Sequence, residues 1–121
     1  MAVVLIVEDD EPVRVLAESI IAAEGHETLT AADAKEARQL IDSDQAIDAL
    51  FVDIRLGTEN HAGLTLAQEG VTARPGLAVL YTTGTGVTDG MRAMFVDRFH
   101  FLGKPYTADQ LAIALAECLR T

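Results

Sequence analysis

The amino-acid sequence predicts an α/β fold in which helices cover both faces of a mostly parallel sheet. Short apolar runs alternate with segments of helical periodicity, and five such pairs follow one another along the 121 residues. The run Ala49 to Val52 is continuously apolar, as expected of a central strand covered on both faces. A chain of this length suits one compact domain with one core. We therefore expect residues 1–121 to form a single domain with no second, output domain.

The first half of the chain contains two strand and helix pairs. A strand is predicted over Ala2 to Val7, followed by a helix with Pro12 in its first turn. His26 to Ala31 is more polar, which suits a strand at the edge of a sheet. Asp33, with Glu36 three residues later, predicts the N-terminal cap of the second helix.

The second half continues the alternation after the central strand, which stops at Asp53. The predicted elements are a polar loop at Gly57 to Gly63, a short helix at Leu64 to Glu69, a strand at Leu77 to Thr82, a helix near Val87 to Phe95 and a strand at Phe99 to Leu102. Thr107 and Gln110 then predict the cap of the last helix.

Composition excludes several classes of function. Nineteen acidic residues against nine basic ones give a formal charge of −10, which repels phosphate backbones and anionic membranes. We therefore expect no direct binding to nucleic acid and no membrane association. No apolar run approaches the roughly 18 to 20 residues that a membrane span requires, so a cytoplasmic location is expected.

The cysteine and histidine residues do not predict a metal or redox site. The single cysteine, Cys118, has helical spacing from Leu111 and Leu115, which favours a packed thiol over a reactive one. The three histidines stand far apart, without the short spacings of zinc ligands. We expect them at surface or loop positions.

Acidic, hydroxyl and amino side chains follow the predicted strands. In an open parallel sheet, ligands bind beyond the carboxyl ends of the strands. The residues there are Glu8 and Asp9 after the first strand, Asp53 after the third, Thr83 after the fourth and Lys104 after the fifth. Carboxylates about 5 Å apart repel by roughly 3 kcal/mol per pair at an effective dielectric constant of about 20. A divalent cation is the simplest way to offset that repulsion.

These residue types favour magnesium and phosphate chemistry. Hard oxygen ligands without thiolate or imidazole indicate Mg²⁺, or the similar Mn²⁺. Asp53 is the candidate acceptor in phosphoryl transfer, because the metal and the Lys104 ammonium offset the charge on the transferring oxygens. Thr83 can donate a hydrogen bond to the same group.

Each residue also has an ordinary structural explanation. Asp10 and Glu11 are better explained as acidic residues that stabilise the dipole of the first helix. Asp53 alone could be a loop cap, Thr83 a strand-end hydroxyl and Lys104 a solvated charge. The functional interpretation rests on their occurring together, each after a different strand.

Four segments resemble the response-regulator receiver family: VLIVEDDEPVR, LFVDIRL, VLYTTG and FLGKPY. The resemblance covers essentially the whole chain. It implies a flavodoxin-like, doubly wound fold with a five-stranded parallel sheet in the order 2-1-3-4-5. It also implies a cis peptide bond between Lys104 and Pro105.

The resemblance assigns roles to individual residues. Glu8 and Asp9 would be the acidic pair at the metal, Asp53 the phosphoacceptor, and the backbone carbonyl of Arg55 a further metal ligand. Thr83 would be the switch hydroxyl that moves toward the phosphoryl group, and Lys104 its ionic partner. Phe101 would be the aromatic residue whose rotamer follows Thr83, with ordinary core packing as the alternative.

Several positions depart from the family pattern or lie beside the proposed site. The departures are Glu8 where aspartate is commoner, Gly57 where proline often stands, a longer loop at Thr58 to Ala62, and Gly103 before the lysine. The side chains of Arg55 and Thr85 would flank the phosphoryl group and tune its hydrolysis. The expected readout surface is the face formed by the fourth helix, fifth strand and fifth helix. It includes Met91, Met94 and Phe101, for which core packing is at least as good an explanation.

The resemblance implies a stand-alone regulator in two-component signalling. Its partners would be a sensor histidine kinase or a histidine phosphotransfer protein, and a downstream protein target. It would act by phosphorylation-dependent protein interaction or as a phosphorelay intermediate. We expect no enzymatic role beyond magnesium-dependent autophosphorylation from small donors and autodephosphorylation.

Other classes of function fit the residues less well. A pseudo-receiver that binds partners without phosphorylation is disfavoured by the intact set of site residues. An aspartyl-phosphate phosphatase would need its nucleophile after the first strand, which Asp9 and Glu11 fit poorly. A nucleotide- or flavin-binding protein would need a glycine-rich loop where EDDEPV stands.

Overall fold

Strands and helices alternate along the whole of the computed structural model, which describes residues 1–120. The elements are β1 Val3–Val7, α1 Glu11–Ala23, β2 Glu27–Ala31, α2 Ala34–Ile41, β3 Ala49–Asp53, α3 Ala62–Ala73, β4 Ala78–Thr83, α4 Asp89–Ala93, β5 Phe99–Gly103 and α5 Ala108–Arg120. The five predicted pairs of strand and helix are therefore confirmed. Within the described residues, no helix is long and apolar enough to cross a membrane.

The five strands form one parallel sheet in the order β2-β1-β3-β4-β5. This confirms the predicted doubly wound topology, with β2 at one edge. The chain moves outward in one direction from β1 to β2 and in the other from β3 to β5. The strand order therefore reverses between β1 and β3, where such folds bind their ligands at the carboxyl ends of the strands.

Each face of the sheet has its own hydrophobic cluster. Val4 and Ile6 of β1 point to one face and pack in a cluster with residues of α1 and α5. Leu5 and Val7 point to the other face and pack with residues of α2 and α3. Because alternate residues of a strand face opposite sides, burial on both faces explains why the central strands are continuously apolar.

Side-chain caps fix where three helices begin. The Asp10 carboxylate caps α1 by accepting from Val13 N at 3.2 Å, so Asp10 lies just before the helix rather than in its first turn. Asp33 Oδ1 accepts from Glu36 N at 2.8 Å at the start of α2. Before α5, Thr107 Oγ1 accepts from the backbone amide of Gln110 at 3.1 Å. The predicted caps are confirmed.

The predicted bounds of the third helix were wrong. Helix α3 runs over Ala62–Ala73, so it starts inside the segment predicted to be a loop. Gly63 lies in the first turn, and a Cβ atom there would overlap the carbonyl oxygen of Asp53. Glycine serves here to let the helix approach β3 closely rather than to form a loop.

Helix α4 is shorter than predicted. It spans only Asp89–Ala93, capped by Thr88 Oγ1, which accepts from Met91 N at 3.1 Å. Beyond its end, Val96 N donates to the buried hydroxyl of Tyr81 at 3.1 Å. That amide therefore bonds to β4 instead of continuing the helix.

The remaining expectations concern burial. Cys118 is buried, which confirms a packed thiol, and burial raises its pKa to about 11. Met91 is buried, as its core alternative required, whereas Phe101 is 41% exposed and is not part of the core. His61 is exposed, but His100 lies half-buried within β5 rather than in a loop.

Candidate functional site

The predicted site residues meet in one open cleft at the carboxyl end of the sheet. Its volume is 320 Å³. It is lined by Glu8, Asp9, Asp10, Asp53, Arg55, Gly57, Thr83, Gly84, Thr85 and Lys104. The prediction that one edge would collect these residues is confirmed.

Two buried carboxylates lie side by side on neighbouring strands. Val7 of β1 is in register with Val52 of β3, so the next residues, Glu8 and Asp53, lie beside each other. Glu8 is 4% exposed and Asp53 is 5% exposed. Two acidic side chains this well buried need a counter-charge.

Lys104 supplies that counter-charge. Its Nζ lies 2.5 Å from Glu8 Oε1 and 2.6 Å from Asp53 Oδ2. Burial alone would lower the pKa of Lys104, but the hydrogen bonds to Asp53 and Glu8 outweigh it and raise the pKa. The lysine is therefore a positive charge shared by both carboxylates. The peptide bond between Lys104 and Pro105 is cis, as predicted.

Burial also sets the protonation of Glu8. It raises the pKa of Glu8 to about 7, and repulsion from Asp53 acts in the same direction. The bonds that Glu8 accepts from Lys104 and from the amide of Asp10, at 3.2 Å, oppose the shift but do not cancel it. The backbone carbonyl of Glu8 accepts from Arg14 at 2.9 Å, which ties the strand end to α1.

Asp9 is exposed and is held by the loop after β3. Its Oδ2 accepts from Gly57 N at 3.1 Å. Gly57 has a φ of 61°, a left-handed conformation that favours glycine and that aims its N–H at Asp9. A proline, which the resemblance noted above often places at this position, has no N–H to donate. Sequence reasoning noted Gly57 only as a departure and missed this contact.

Glu8, Asp9 and Asp53 fit a hard divalent cation. Each offers a carboxylate oxygen, and the three oxygens lie within 4.8 Å of one another. An all-oxygen set with two or three carboxylates is the donor chemistry that Mg²⁺ prefers. Arg55 lies beside them, and its amide donates to Asp53 Oδ1 at 3.2 Å, which orients the carboxylate.

Thr83 and Phe101 lie on the neighbouring strands β4 and β5; Thr83 lines the cleft, whereas Phe101 lies outside it. Thr83 is 3% exposed, and its Oγ1 is 3.2 Å from the hydroxyl of Thr85 and 3.3 Å from the amide of Thr85. The Thr83 hydroxyl is therefore turned toward the loop after β4. Phe101, one of the outward residues of β5, projects partly into solvent.

The fold and this edge together define a class of protein: a doubly wound α/β domain with a cluster of carboxylates, countered by one lysine, at the switch point of its sheet. The model of the response regulator receiver domain matches residues 4–116. The chain belongs to the response-regulator receiver family.

Relatives of known name support the same family. The chain is 32% identical over 116 residues to the alginate biosynthesis transcriptional regulatory protein AlgB of Pseudomonas aeruginosa, covering 96% of this chain and 25% of that protein. It is 31% identical to the aerobic respiration control protein ArcA of Escherichia coli, covering 91% of this chain and 45% of that protein. The chain therefore spans a quarter to a half of the length of these relatives.

Solved structures agree with the fold. The receiver domain of NtrX from Brucella abortus is 33% identical, covers 98% of both chains and has a TM-score of 0.84. A response regulator receiver protein from Sinorhizobium medicae has a TM-score of 0.89, with 99% of this chain and 95% of that chain covered. At 22% identity, the second likeness concerns the fold alone.

Proposed function

We propose that this receiver domain accepts a phosphoryl group on Asp53 from a histidine of a partner protein, in a reaction that requires Mg²⁺ at Glu8, Asp9 and Asp53. The observation that carries this proposal is the contact of Asp53 Oδ2 with Lys104 Nζ at 2.6 Å, next to two further carboxylates. An acceptor carboxylate needs positive charge around the oxygens of the incoming phosphoryl group. A lysine and an acidic cation-binding cluster beside one buried aspartate supply it from two sides.

Phosphoryl transfer to Asp53 would exchange one bond at phosphorus for another. A carboxylate oxygen of Asp53 forms a bond to phosphorus, the bond from phosphorus to the imidazole nitrogen of the donor breaks, and the leaving imidazole takes a proton. Lys104 would hold one oxygen of the phosphoryl group by a charge-assisted hydrogen bond. When bound, Mg²⁺ neutralises charge on the same oxygens. The bond from Arg55 N keeps the Asp53 carboxylate oriented toward the open cleft.

A groove beside the cleft suits the docking of a histidine-bearing helical partner. It has a volume of 380 Å³ and is mostly apolar. It is lined by Val13, Leu16, Gly84, Lys104, Pro105 and Tyr106. Leu16 is 55% exposed on α1, so an apolar side chain is available to a partner that reaches the cleft. A sensor histidine kinase or a histidine phosphotransfer protein is the partner we propose.

Phosphorylation would be read out through Thr83 and Phe101. In the present structure the Thr83 hydroxyl pairs with Thr85, and Phe101 is partly exposed. A phosphoryl group on Asp53 offers Thr83 a stronger, charged acceptor. Movement of Thr83 would open space for Phe101 to turn inward and change the surface of β5. Such a change would serve an output interaction with a downstream protein or a phosphorelay step.

The test is phosphorylation from a small-molecule phosphodonor with Mg²⁺. Wild type should gain the mass of one phosphoryl group and show amide NMR shifts at Thr83 and Phe101. Asp53→Asn should show neither. Asp48→Asn is the matched control, because Asp48 lies at the opposite end of β3 and should leave the reaction unchanged. Absence of an adduct on the wild-type protein would overturn the proposal and favour a receiver that binds partners without phosphorylation.

A further inference from the structure

Thr82, next to the switch hydroxyl, carries an unexplained buried polar atom. Thr82 is 3% exposed, and its Oγ1 has no hydrogen-bond partner among the described residues. A buried hydroxyl without a partner lowers the stability of the folded state. A valine has nearly the same shape and would avoid that cost. Packing alone therefore does not explain why a threonine rather than a valine stands at this position.

The strand register places Thr82 beside Asp53. Thr82 is aligned with Asp53 of β3 on one side and with Leu102 of β5 on the other. Leu80, two residues earlier on β4, belongs to the core cluster that also contains Phe51 of β3. Because alternate residues of a strand share a face, Thr82 and Asp53 point to the same side of the sheet.

The Lys104 side chain crosses β4 on that same side. It leaves β5 and reaches Asp53 on β3, so its stem must pass over the end of β4. A Cβ atom at Gly84 would lie 3.8 Å from Lys104 Cβ and 4.0 Å from its Cδ, so the stem runs along this glycine. β4 lies between the Lys104 backbone and the Asp53 carboxylate that the lysine contacts. Thr82 is therefore the β4 residue whose hydroxyl lies on the face that the lysine side chain crosses.

A divalent cation at the carboxylates would displace the Lys104 ammonium. Two of its three N–H donors serve Glu8 and Asp53. The same carboxylates belong to the cluster that fits a divalent cation. A cation there would take those oxygens and repel the ammonium, which can withdraw along its own stem toward β5. The withdrawn ammonium needs a new acceptor away from water.

We propose that Thr82 Oγ1 is the second acceptor for the Lys104 ammonium, used when a divalent cation occupies Glu8, Asp9 and Asp53. This inference rests on the proposed function for the identity of the cation, but not on phosphorylation. Thr82 is then a positioning residue: it keeps Lys104 inside the cleft while the metal is bound, within reach of a phosphoryl group on Asp53. The hydroxyl is unpartnered in the present arrangement because the ammonium rests on the carboxylates.

The experiment measures Mg²⁺ affinity by calorimetry on the full chain without any phosphodonor. Thr82→Val should weaken Mg²⁺ binding about tenfold, the effect of losing a hydrogen bond to a charged group. Thr82→Ser keeps the hydroxyl and should bind Mg²⁺ as the wild type does. Thr30→Val is the matched control, because Thr30 lies on edge strand β2, which β1 and β3 separate from β4.

A second readout follows the ammonium itself. In ¹⁵N NMR of lysine side chains, the Lys104 ammonium with Mg²⁺ should be protected from solvent exchange in wild type and Thr82→Ser, and should lose that protection in Thr82→Val. If Thr82→Val does not fold, Thr82→Ala is measured in the same way. Unchanged Mg²⁺ affinity in the folded variant lacking the hydroxyl, or equal weakening in Thr82→Ser, would overturn the inference. Failure of Asp53 phosphorylation with these Mg²⁺ effects intact would instead count against the proposed function alone.

Discussion

The amino and carboxyl ends of the sheet differ in the exposure of their acidic side chains. At the amino end, Asp48 Oδ2 accepts from Val3 N at 2.8 Å, and His26 Nδ1 accepts from Ala2 N at 3.1 Å. The Asp48 carboxylate is exposed, so it satisfies a strand end while staying in water. At the carboxyl end, Glu8 and Asp53 are nearly buried and share one lysine.

This difference separates a stabilising arrangement from a binding arrangement. A charge in water costs little and adds a hydrogen bond, as at Asp48. Two carboxylates and an ammonium lose hydration when they are buried, and their mutual attraction offsets that loss only in part. Groups whose pKa is strongly shifted by burial cluster at functional sites, and Glu8, with a pKa of about 7, is such a group. The carboxyl end therefore gives up stability to hold a cluster of acidic side chains that fits a divalent cation.

The largest expected effect on stability comes from removing the Lys104 ammonium that Glu8 and Asp53 share. Lys104→Met should lower the free energy of unfolding by about 3–5 kcal/mol at pH 8, because it leaves two buried carboxylates without a counter-charge. Denaturant unfolding in buffer free of divalent ions measures the loss. Saturating Mg²⁺ should restore part of it, since the cation takes over the role of the ammonium. A loss below about 1 kcal/mol would mean that water already screens the pair.

A smaller effect of opposite sign is expected at Glu8. Its pKa is raised from 4.5 to about 7 in the folded state, so its contribution to stability is complete below pH 4.5 and is lost as pH rises through about 7. Glu8→Gln removes this cost and should raise the free energy of unfolding by roughly 2–3 kcal/mol at pH 8. Near pH 4 the two proteins should be about equally stable. Equal stability at both pH values would contradict the raised pKa.

The smallest effect is expected from the matched change at the amino end. Asp48→Asn also removes one negative charge and keeps an oxygen acceptor for Val3 N. Unfolding measurements should find a change within about 0.5 kcal/mol, with no step near pH 7, as is usual for exposed positions. An effect as large as that of Glu8→Gln would erase the contrast between the two ends.

Much of the site followed from strand order along the chain. Glu8, Asp53 and Lys104 each come at or just after the end of a strand, and parallel strands deliver such residues to one edge. The roles given to Asp53, Thr83 and Phe101 stay predictions until phosphorylation is measured. So do the stand-alone arrangement and the cytoplasmic location, because the chain spans only part of its relatives AlgB and ArcA.

Other parts of the site could not be found in the sequence. Gly57 and Gly63 both lie in a segment predicted to be a loop, yet one donates to Asp9 and the other lies against the backbone of Asp53. A sequence pattern places glycines in turns but does not reveal which backbone they approach. The sequence predicts Thr82 only as the last residue of a strand, because its missing hydrogen bond exists only in relation to neighbours on other strands.

The sequence by itself determined the alternation of strands and helices, the helix caps and the set of chemical groups at the strand ends. These features depend on periodicity and on contacts within a few residues, which local sequence encodes. The tertiary structure alone decided the burial of Glu8, the sharing of Lys104 between two carboxylates and the isolation of the Thr82 hydroxyl. Those features arise because strands distant in sequence are adjacent in the sheet, where burial removes water and makes the energy of each charge depend on its neighbours.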